Sequence, residues 1–348
     1  MDKTTPIYFI CPDNKEPVGG IKQLYRQVDI LNNNGFNAYI VHKRKWFRHK
    51  WFENKTKIIN SRFIFEEIDI LLGRKLQTFK SFFKKKVNNL DSNGILVIPE
   101  IYGPNIINLL KGTGKVVFNQ NCYYTFNNFD LNTFNNNNIY NNPDLLGVIV
   151  VSENSKKYLE YTFPKSPIHR IHLGINTSKF IYNKASKKKQ IAFMPRKLED
   201  DIIQIINILK IKNNIKNWDF VSINNKSEEE VAKILNESLI FLSLNHKEGF
   251  GLPPAEAMAS GCIVIGYAGQ GGEEYFNPNF SIKIDEGNII QFVEKVEEIT
   301  LKYEKNDFGV IKMPQYANDY ILNNYNLKKE EESIVSTWKK ILKYELEN

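Results

Sequence analysis

In the stretch HKEGFGLPPAEAMASGC, residues 246–262, Glu248 and Glu256 are separated by seven residues. Two glycines, a phenylalanine and a double proline lie between them. A carboxylate can accept two hydrogen bonds from a vicinal diol such as a ribose. Each bond to a charged group contributes roughly 1.5–3 kcal/mol when shielded from water. Gly249 and Gly251 let backbone N–H groups approach a ligand with no Cβ in the way. Pro253 and Pro254 suit the first turn of a helix, where a missing N–H costs nothing, and the N-terminus of that helix favours an anion such as a diphosphate. Glu256 is then expected in the first helical turn, and Glu248 on the preceding loop, facing the other end of the ligand. A first-turn glutamate also complements the helix dipole; for Glu256 alone that plainer reading would win.

The elements around the pair decide between the two. Short apolar runs alternate with helical patterns along the whole chain: PIYFIC (6–11), NAYIV (37–41), GILVIP (94–99), KVVFNQ (115–120) and LLGVIVVS (145–152) read as strands, and GIKQLYRQVDILNNNG (20–35) and SENSKKYLEYTF as helices. After the polar stretch NKASKKKQ (183–190), which reads as a linker, the alternation restarts with IAFMP (191–195), a helix over 199–211, WDFVSI, SEEEVAKILNES, LIFLSL ending near Leu244, CIVIGY (262–267) and a helix over 287–304. Alternation of this kind predicts an α/β protein with parallel, doubly wound sheets. Ligands of such sheets sit outside the carboxyl ends of the strands. A second glycine-rich loop, GYAGQGGEEYF (266–276) with Gly271 and Gly272, follows the next strand, and Arg196 and Lys197 follow the first strand of this half. Two glycine loops, two cations and a carboxylate pair at strand ends fit a nucleotide diphosphate better than they fit packing.

Bulk properties narrow the field. With 348 residues, two domains are expected. A 42% apolar and 13% aromatic content excludes global disorder. The formal charge of +8 suits an anionic small molecule, a nucleic acid or an anionic membrane surface without choosing among them. Cys11, Cys122 and Cys262 are far apart in sequence and show no metal-ligand spacing, which argues for a reducing compartment. The N-terminal apolar run is too short for a signal peptide, and no stretch reaches the roughly 18 apolar residues that span a bilayer. A soluble, cytoplasmic protein is expected.

EGFGLPPAEAMASG resembles the Glu-x7-Glu motif of retaining glycosyltransferases with the GT-B fold, in particular glycosyltransferase family 4. PVGGIKQLYRQVDILNNNGFNAYIV (17–41) is similar to the first glycine loop and helix of that family, and VIVVSENSKKYLE and IHRIHLGINTSKF resemble its segments ahead of the linker. The resemblance implies a GT-B fold, two Rossmann-like domains facing a central cleft, with an acceptor-side domain over 1–182, a donor domain over 183–325 and a C-terminal helix, 326–348, packing back on the first domain. It implies that Glu256 holds the donor ribose, that Glu248 lies by the donor sugar, and that the amides of Phe250, Gly251 and Leu252 contact sugar and phosphate. Arg196 and Lys197 would neutralise the departing diphosphate, and Gly19 and Gly20 would close over the same phosphates. Because electrostatic stabilisation of the leaving group is a large catalytic contribution, neither metal nor cofactor is expected. Two departures stand out. Relatives place a lysine about five residues after the arginine, where this chain has Asp201, and a histidine where it has Gln120 and Asn121. An amide positions a hydroxyl but cannot take its proton, so no general base is assigned; in a retaining, front-side mechanism the leaving phosphate could accept it.

The acceptor side is harder to read. Glu100 and Tyr102, at a strand end, are candidate acceptor contacts beside Gln120 and Asn121. VHKRKWFRHKWF (41–52) and KSFFKKKV (80–87) interleave cations with aromatic rings. Such stretches suit an anionic membrane surface or a nucleic acid, and a solvated face with a few aromatics tucked inward is at least as good a reading. With a glycosyltransferase, a glycan or lipid-linked acceptor at the inner membrane face is preferred, and no nucleic acid is expected. The alternatives are another GT-B enzyme such as a sugar-nucleotide epimerase, whose acid/base groups cannot be located, and a non-catalytic basic protein binding membrane or nucleic acid. A dehydrogenase is disfavoured because PVGGIKQL lacks the GxGxxG fingerprint.

Overall fold

The computed structural model describes residues 3–15, 19–74, 89–127, 129 and 138–343. The basic aromatic stretch at 80–87 and most of the Asn-rich segment 127–142 lie outside the described residues. The chain divides into two compact units: Met1–Val151 with Ser155–Ile171 and Glu331–Asn348, and Ser152–Asn154 with His172–Glu330. In this division the chain changes unit after Val151, Asn154, Ile171 and Glu330. The basic run 183–190 is no linker. Its end opens a strand, and its lysines are ion-paired or hydrogen-bonded within the second unit: Lys188 to Glu237, Lys189 to Glu304, and Lys187 to the carbonyls of Leu235 and Ser238. Its polarity reflects those partners.

The first unit holds a sheet of seven parallel strands in the order β3-β2-β1-β4-β5-β6-β7. These are β1 (Pro6–Ile10), β2 (Asn37–His42), β3 (Ile58–Asn60), β4 (Ile95–Pro99), β5 (Lys115–Asn119), β6 (Leu145–Val150) and β7 (Ile168–Arg170). β4 and β5 are buried along their whole length, as strands covered on both faces must be. Helix α1 (Gly19–Asn33) turns Ile21, Leu24, Tyr25, Val28 and Leu31 inward at the three- and four-residue spacing of one helical face. It stops where Gly35, at φ +81°, turns the chain into β2. Helix α2 (Arg62–Leu71) follows β3, and α3 (Glu153–Thr162), whose first two residues fall in the second unit, follows β6. Of the stretch 41–52, His42 and His49 are buried and Phe47 and Phe52 are half-buried, ringed around Tyr25, while Trp46 stands 88% exposed. Among the described residues, no helix is long and apolar enough to cross a membrane.

The second unit holds five parallel strands in the order β12-β11-β10-β8-β9: β8 (Lys188–Phe193), β9 (Asp219–Ser222), β10 (Ser238–Glu248), β11 (Ile263–Gln270) and β12 (Ser281–Lys283). Its helices are α4 (Glu199–Lys212), α5 (Glu228–Glu237), α6 (Leu252–Ala259), α7 (Ile289–Glu304) and α8 (Phe308–Asn324). α5 opens on a capping box in which Ser227 and Glu230 satisfy each other's backbone N–H. α8, which carries Pro314 internally, has no counterpart in the sequence reading. A last helix, α9 (Leu327–Ile341), passes from the second unit into the first. Within the first unit its Trp338 is fully buried against Phe9, ring centroids 5.8 Å apart.

Candidate functional site

The strand order of the second unit reverses between β8 and β10, and a doubly wound sheet presents its ligand crevice at that reversal, outside the strand carboxyl ends. β8 leads into Arg196 and Lys197, β10 ends on Glu248, and β11 leads into Gly271. The predicted loop begins later than expected. β10 runs on past Leu244 through a register shift between Asn245 and Glu248, and Glu248 pairs with Gln270 of β11. Glu248 is therefore fixed by the sheet, not carried on a loop. Lys197 forms an ion pair with it, and the Glu248 side chain is only 15% exposed. Partial burial, then the neighbouring Arg196 guanidinium, push the Lys197 ammonium down to about 8 from its ordinary 10.5. Arg196 itself is exposed.

The two glycine segments pack backbone against backbone. A Cβ on Gly271 would stand 2.2 Å from the carbonyl oxygen of Gly249 and 2.6 Å from that of Glu248. Such a distance admits no side chain, so Gly271 is a glycine of close approach. Gly251 caps α6 at φ +83°, where a Cβ would also meet the Asn245 amide at 2.7 Å and the Tyr275 hydroxyl at 2.8 Å. Tyr275, buried between Phe250 and Tyr325, directs its hydroxyl to the carbonyl oxygens of Phe250 at 2.9 Å and Gly251 at 2.6 Å. In a trans peptide the N–H points opposite the C=O, so this anchor turns the amides of Gly251 and Leu252 away from Tyr275. Burial pushes the Tyr275 hydroxyl up, which keeps it a neutral donor. Tyr275 carries no sign of this role in the sequence, because it acts through Phe250 and Gly251, more than 20 positions away. Gly272 is the second residue of the short 3-10 turn Gly271–Glu274, against the Tyr275 ring.

Glu256 is not in the first turn of α6. The helix begins at Leu252, one residue ahead of the proline pair, which makes Glu256 its fifth residue. Dipole complementation, strongest in the first turn, accounts for it less well there. Glu256 is half-buried and close enough to Tyr275 to raise that hydroxyl's pKa. Asp201, at the position where the resemblance expects a lysine, accepts a hydrogen bond from Tyr267 of β11 at 2.9 Å. That pairing ties α4 to the neighbouring strand.

In the first unit the strand order reverses between β1 and β4. The structure brings Gly20 and Gln120 together: a Cβ on Gly20 would lie 3.1 Å from the Gln120 side-chain oxygen. Gly19 is the first residue of α1. Glu100 Oε1 accepts the Asn121 backbone N–H at 3.0 Å, while its Oε2 is buried without a partner beside a small pocket lined also by Thr125 and Tyr140. Burial raises the Glu100 carboxyl to about 7. Asn121 caps the turn that follows, accepting the Tyr123 N–H at 3.0 Å. Tyr102 belongs to the apolar core of this unit and is 6% exposed.

Residues 204–308 match the family Glycosyl transferases group 1. The chain is 32% identical over 272 residues, covering 74% of it and 78% of the relative, to an alpha-1,6-glucosyltransferase of Actinobacillus pleuropneumoniae serotype 7 (strain AP76). Among solved structures it is similar to a sucrose-phosphate synthase from Thermosynechococcus elongatus, with a TM-score of 0.68, 12% identity, and 98% of this chain and 100% of that one covered. It is also similar to the pneumococcal O-GlcNAc transferase GtfA in complex with UDP and GlcNAc, with a TM-score of 0.65, 11% identity, and 97% and 99% covered. A third is an S. aureus TarM variant in complex with Fondaparinux, alpha-GlcNAc-glycerol and UDP, with a TM-score of 0.66, 14% identity, and 97% and 99% covered. At such identities the likeness shows the fold, which is that of GT-B enzymes: two parallel-sheet α/β units.

Proposed function

This chain belongs to the group 1 glycosyltransferases, and from that premise we propose that it transfers a glucosyl residue from UDP-glucose to a hydroxyl of a glycan or lipid-linked acceptor, forming an α-linkage with retention and without a metal at the transfer site. The observation that carries the donor reading is the close packing of Gly271 on the backbone of Glu248 and Gly249, beside the Lys197–Glu248 ion pair. Together with Arg196, which follows the same strand as Lys197, and the amides that start α6, it supports a sugar diphosphate at this sheet edge. The relative's name and the UDP held by two of the similar structures support the choice of nucleotide and sugar.

In this reading Glu256 holds the ribose diol. Arg196 and Lys197 offset the charge that develops on the β-phosphate as the glycosidic bond breaks, and that phosphate takes the acceptor proton. Lys197 is held by Glu248 until the diphosphate competes for it. Glu248 then lies free to meet the hydroxyls of the donor sugar.

UDP should raise the Tm of the full chain, and UDP-glucose should be turned over when a glucan or glycolipid acceptor is supplied. Glu256→Ala is expected to weaken UDP binding by about tenfold or more, the loss of one or two charged hydrogen bonds. Glu248→Gln is expected to lower kcat with UDP affinity nearly unchanged. Titration calorimetry with UDP separates the two, and equal UDP affinity in wild type and Glu256→Ala would sink the ribose assignment. The anomeric configuration of the product, read by NMR, tests retention.

A further inference from the structure

Away from the donor residues, in the first unit, Cys11, His42 and His49 bring a thiol and two imidazoles together so that one ligand atom from each lies within 4.8 Å of the others. Cys11 follows β1, His42 ends β2, and His49 lies in the segment between β2 and β3. Their exposures are 0%, 0% and 3%. Sequence spacing gave no sign of this site, because its members are separated by 31 and 7 positions and meet only when β1 pairs with β2.

We propose that these three side chains form a binding site for a divalent metal of zinc type. A thiolate with two imidazoles is a borderline-soft donor set, which selects zinc over the oxygen-seeking magnesium and calcium. Ligand atoms around a tetrahedral zinc stand roughly 3.3–3.6 Å apart, from bonds of about 2.0–2.3 Å, so the cluster closes onto an ion by small side-chain shifts.

The surroundings support it independently. His42 Nδ1 is 3.0 Å from Asp13 Oδ1 and 3.1 Å from the Cys11 carbonyl oxygen, both acceptors, which fixes the proton on Nδ1 and turns the Nε2 lone pair inward. A carboxylate behind a histidine is the usual second partner of a zinc-bound imidazole. Nε2 accepts the Tyr25 hydroxyl at 2.7 Å, a hydrogen bond that ligation through Nε2 would displace. His49 Nε2 is buried with no hydrogen-bond partner. Ligation through that nitrogen places the proton on Nδ1 and gives up a long 3.3 Å contact from Trp51 Nε1. One thiolate and the Asp13 carboxylate, which Arg44 also pairs at 3.0 Å, offset the charge of a 2+ ion in part. Such an ion would staple β1, β2 and the segment 43–57 over α1. Its role is structural and separate from the transfer chemistry.

The test uses the full chain, purified with zinc in the medium and freed of any histidine tag. Mass spectrometry of the metal should give close to one zinc per chain, falling more than tenfold in Cys11→Ser and His49→Gln. Loaded with cobalt, the wild type should show a thiolate-to-cobalt charge-transfer band that Cys122→Ser retains and Cys11→Ser loses. Asp13→Asn should weaken the metal roughly 10–100-fold. A chelator should lower the wild-type Tm but not that of His49→Gln. Wild-type chain that remains metal-free in excess zinc overturns the proposal even if every variant fails to fold, and so does a cobalt band that survives in folded Cys11→Ser.

Discussion

At the scale of single residues, Lys197 is the proposed donor-site cation whose charge changes within the working pH range. Its folded pKa of about 8 lies below the ordinary 10.5. Between those values the unfolded chain binds the proton and the folded chain does not, so this group's contribution to stability rises with pH there and is least favourable below pH 8. Its positive charge runs the other way, complete below pH 8 and lost above it. Transfer, measured as kcat/KM against pH, is therefore expected to fall above about pH 8. The limb for kcat should lie higher, because bound diphosphate favours the charged form. Lys197→Arg, which cannot deprotonate in this range, should flatten the alkaline limb even if it lowers the plateau; an unchanged limb would assign it to another group. Glu248, Glu256, Arg196 and Lys197 were all legible as residue types at strand ends. Their pairing was not: that Lys197 meets Glu248, and that Asp201 is occupied by Tyr267, depends on strands 40 to 70 positions apart in sequence.

At the scale of elements, the working piece is the junction of β10, α6 and the turn after β11. Periodicity and proline placement announced a strand followed by a helix, but they ended β10 at Leu244, four residues short. The register shift that carries the strand to Glu248 is made by pairing with β11, which local sequence does not encode. Gly271 tests this junction. Gly271→Ala forces the backbone of Glu248 and Gly249 aside, and overpacking of this kind costs about 1–3 kcal/mol. UDP binding should be largely lost while the circular-dichroism spectrum is kept. Retained UDP affinity would show that the two glycine segments need not touch to hold the donor.

At the scale of the whole molecule, α9 makes the C-terminal segment part of the first unit. Trp338 is fully buried against Phe9 of β1. Trp338→Ala should destabilise that unit by about 3–5 kcal/mol, seen as an earlier transition in urea. A chain ended after Glu330 should lose the first unit's cooperative unfolding while the second unit still unfolds on its own. A single unaltered transition in the shortened chain would deny α9 this part. The segment 41–52 shows the same dependence on context: His42, His49 and Phe52 pack on Tyr25 while Trp46 stands outward. Composition alone treats buried and exposed aromatics alike.

The fold class was legible in the sequence, because the alternation of apolar runs and amphipathic helices is a local signal, repeated in both halves. The residues proposed for the donor side were legible as candidates, because loops after strands carry their glycines, cations and carboxylates in contiguous motifs. Where the units divide, which carboxylate holds the lysine, why Gly271 admits no side chain, and that Cys11, His42 and His49 meet became visible in the folded chain alone. Each of these rests on atoms brought within a few ångströms by parallel strand pairing. Parallel neighbours are joined by crossovers rather than turns, so the partners in such pairs leave no short spacing in the chain to be read.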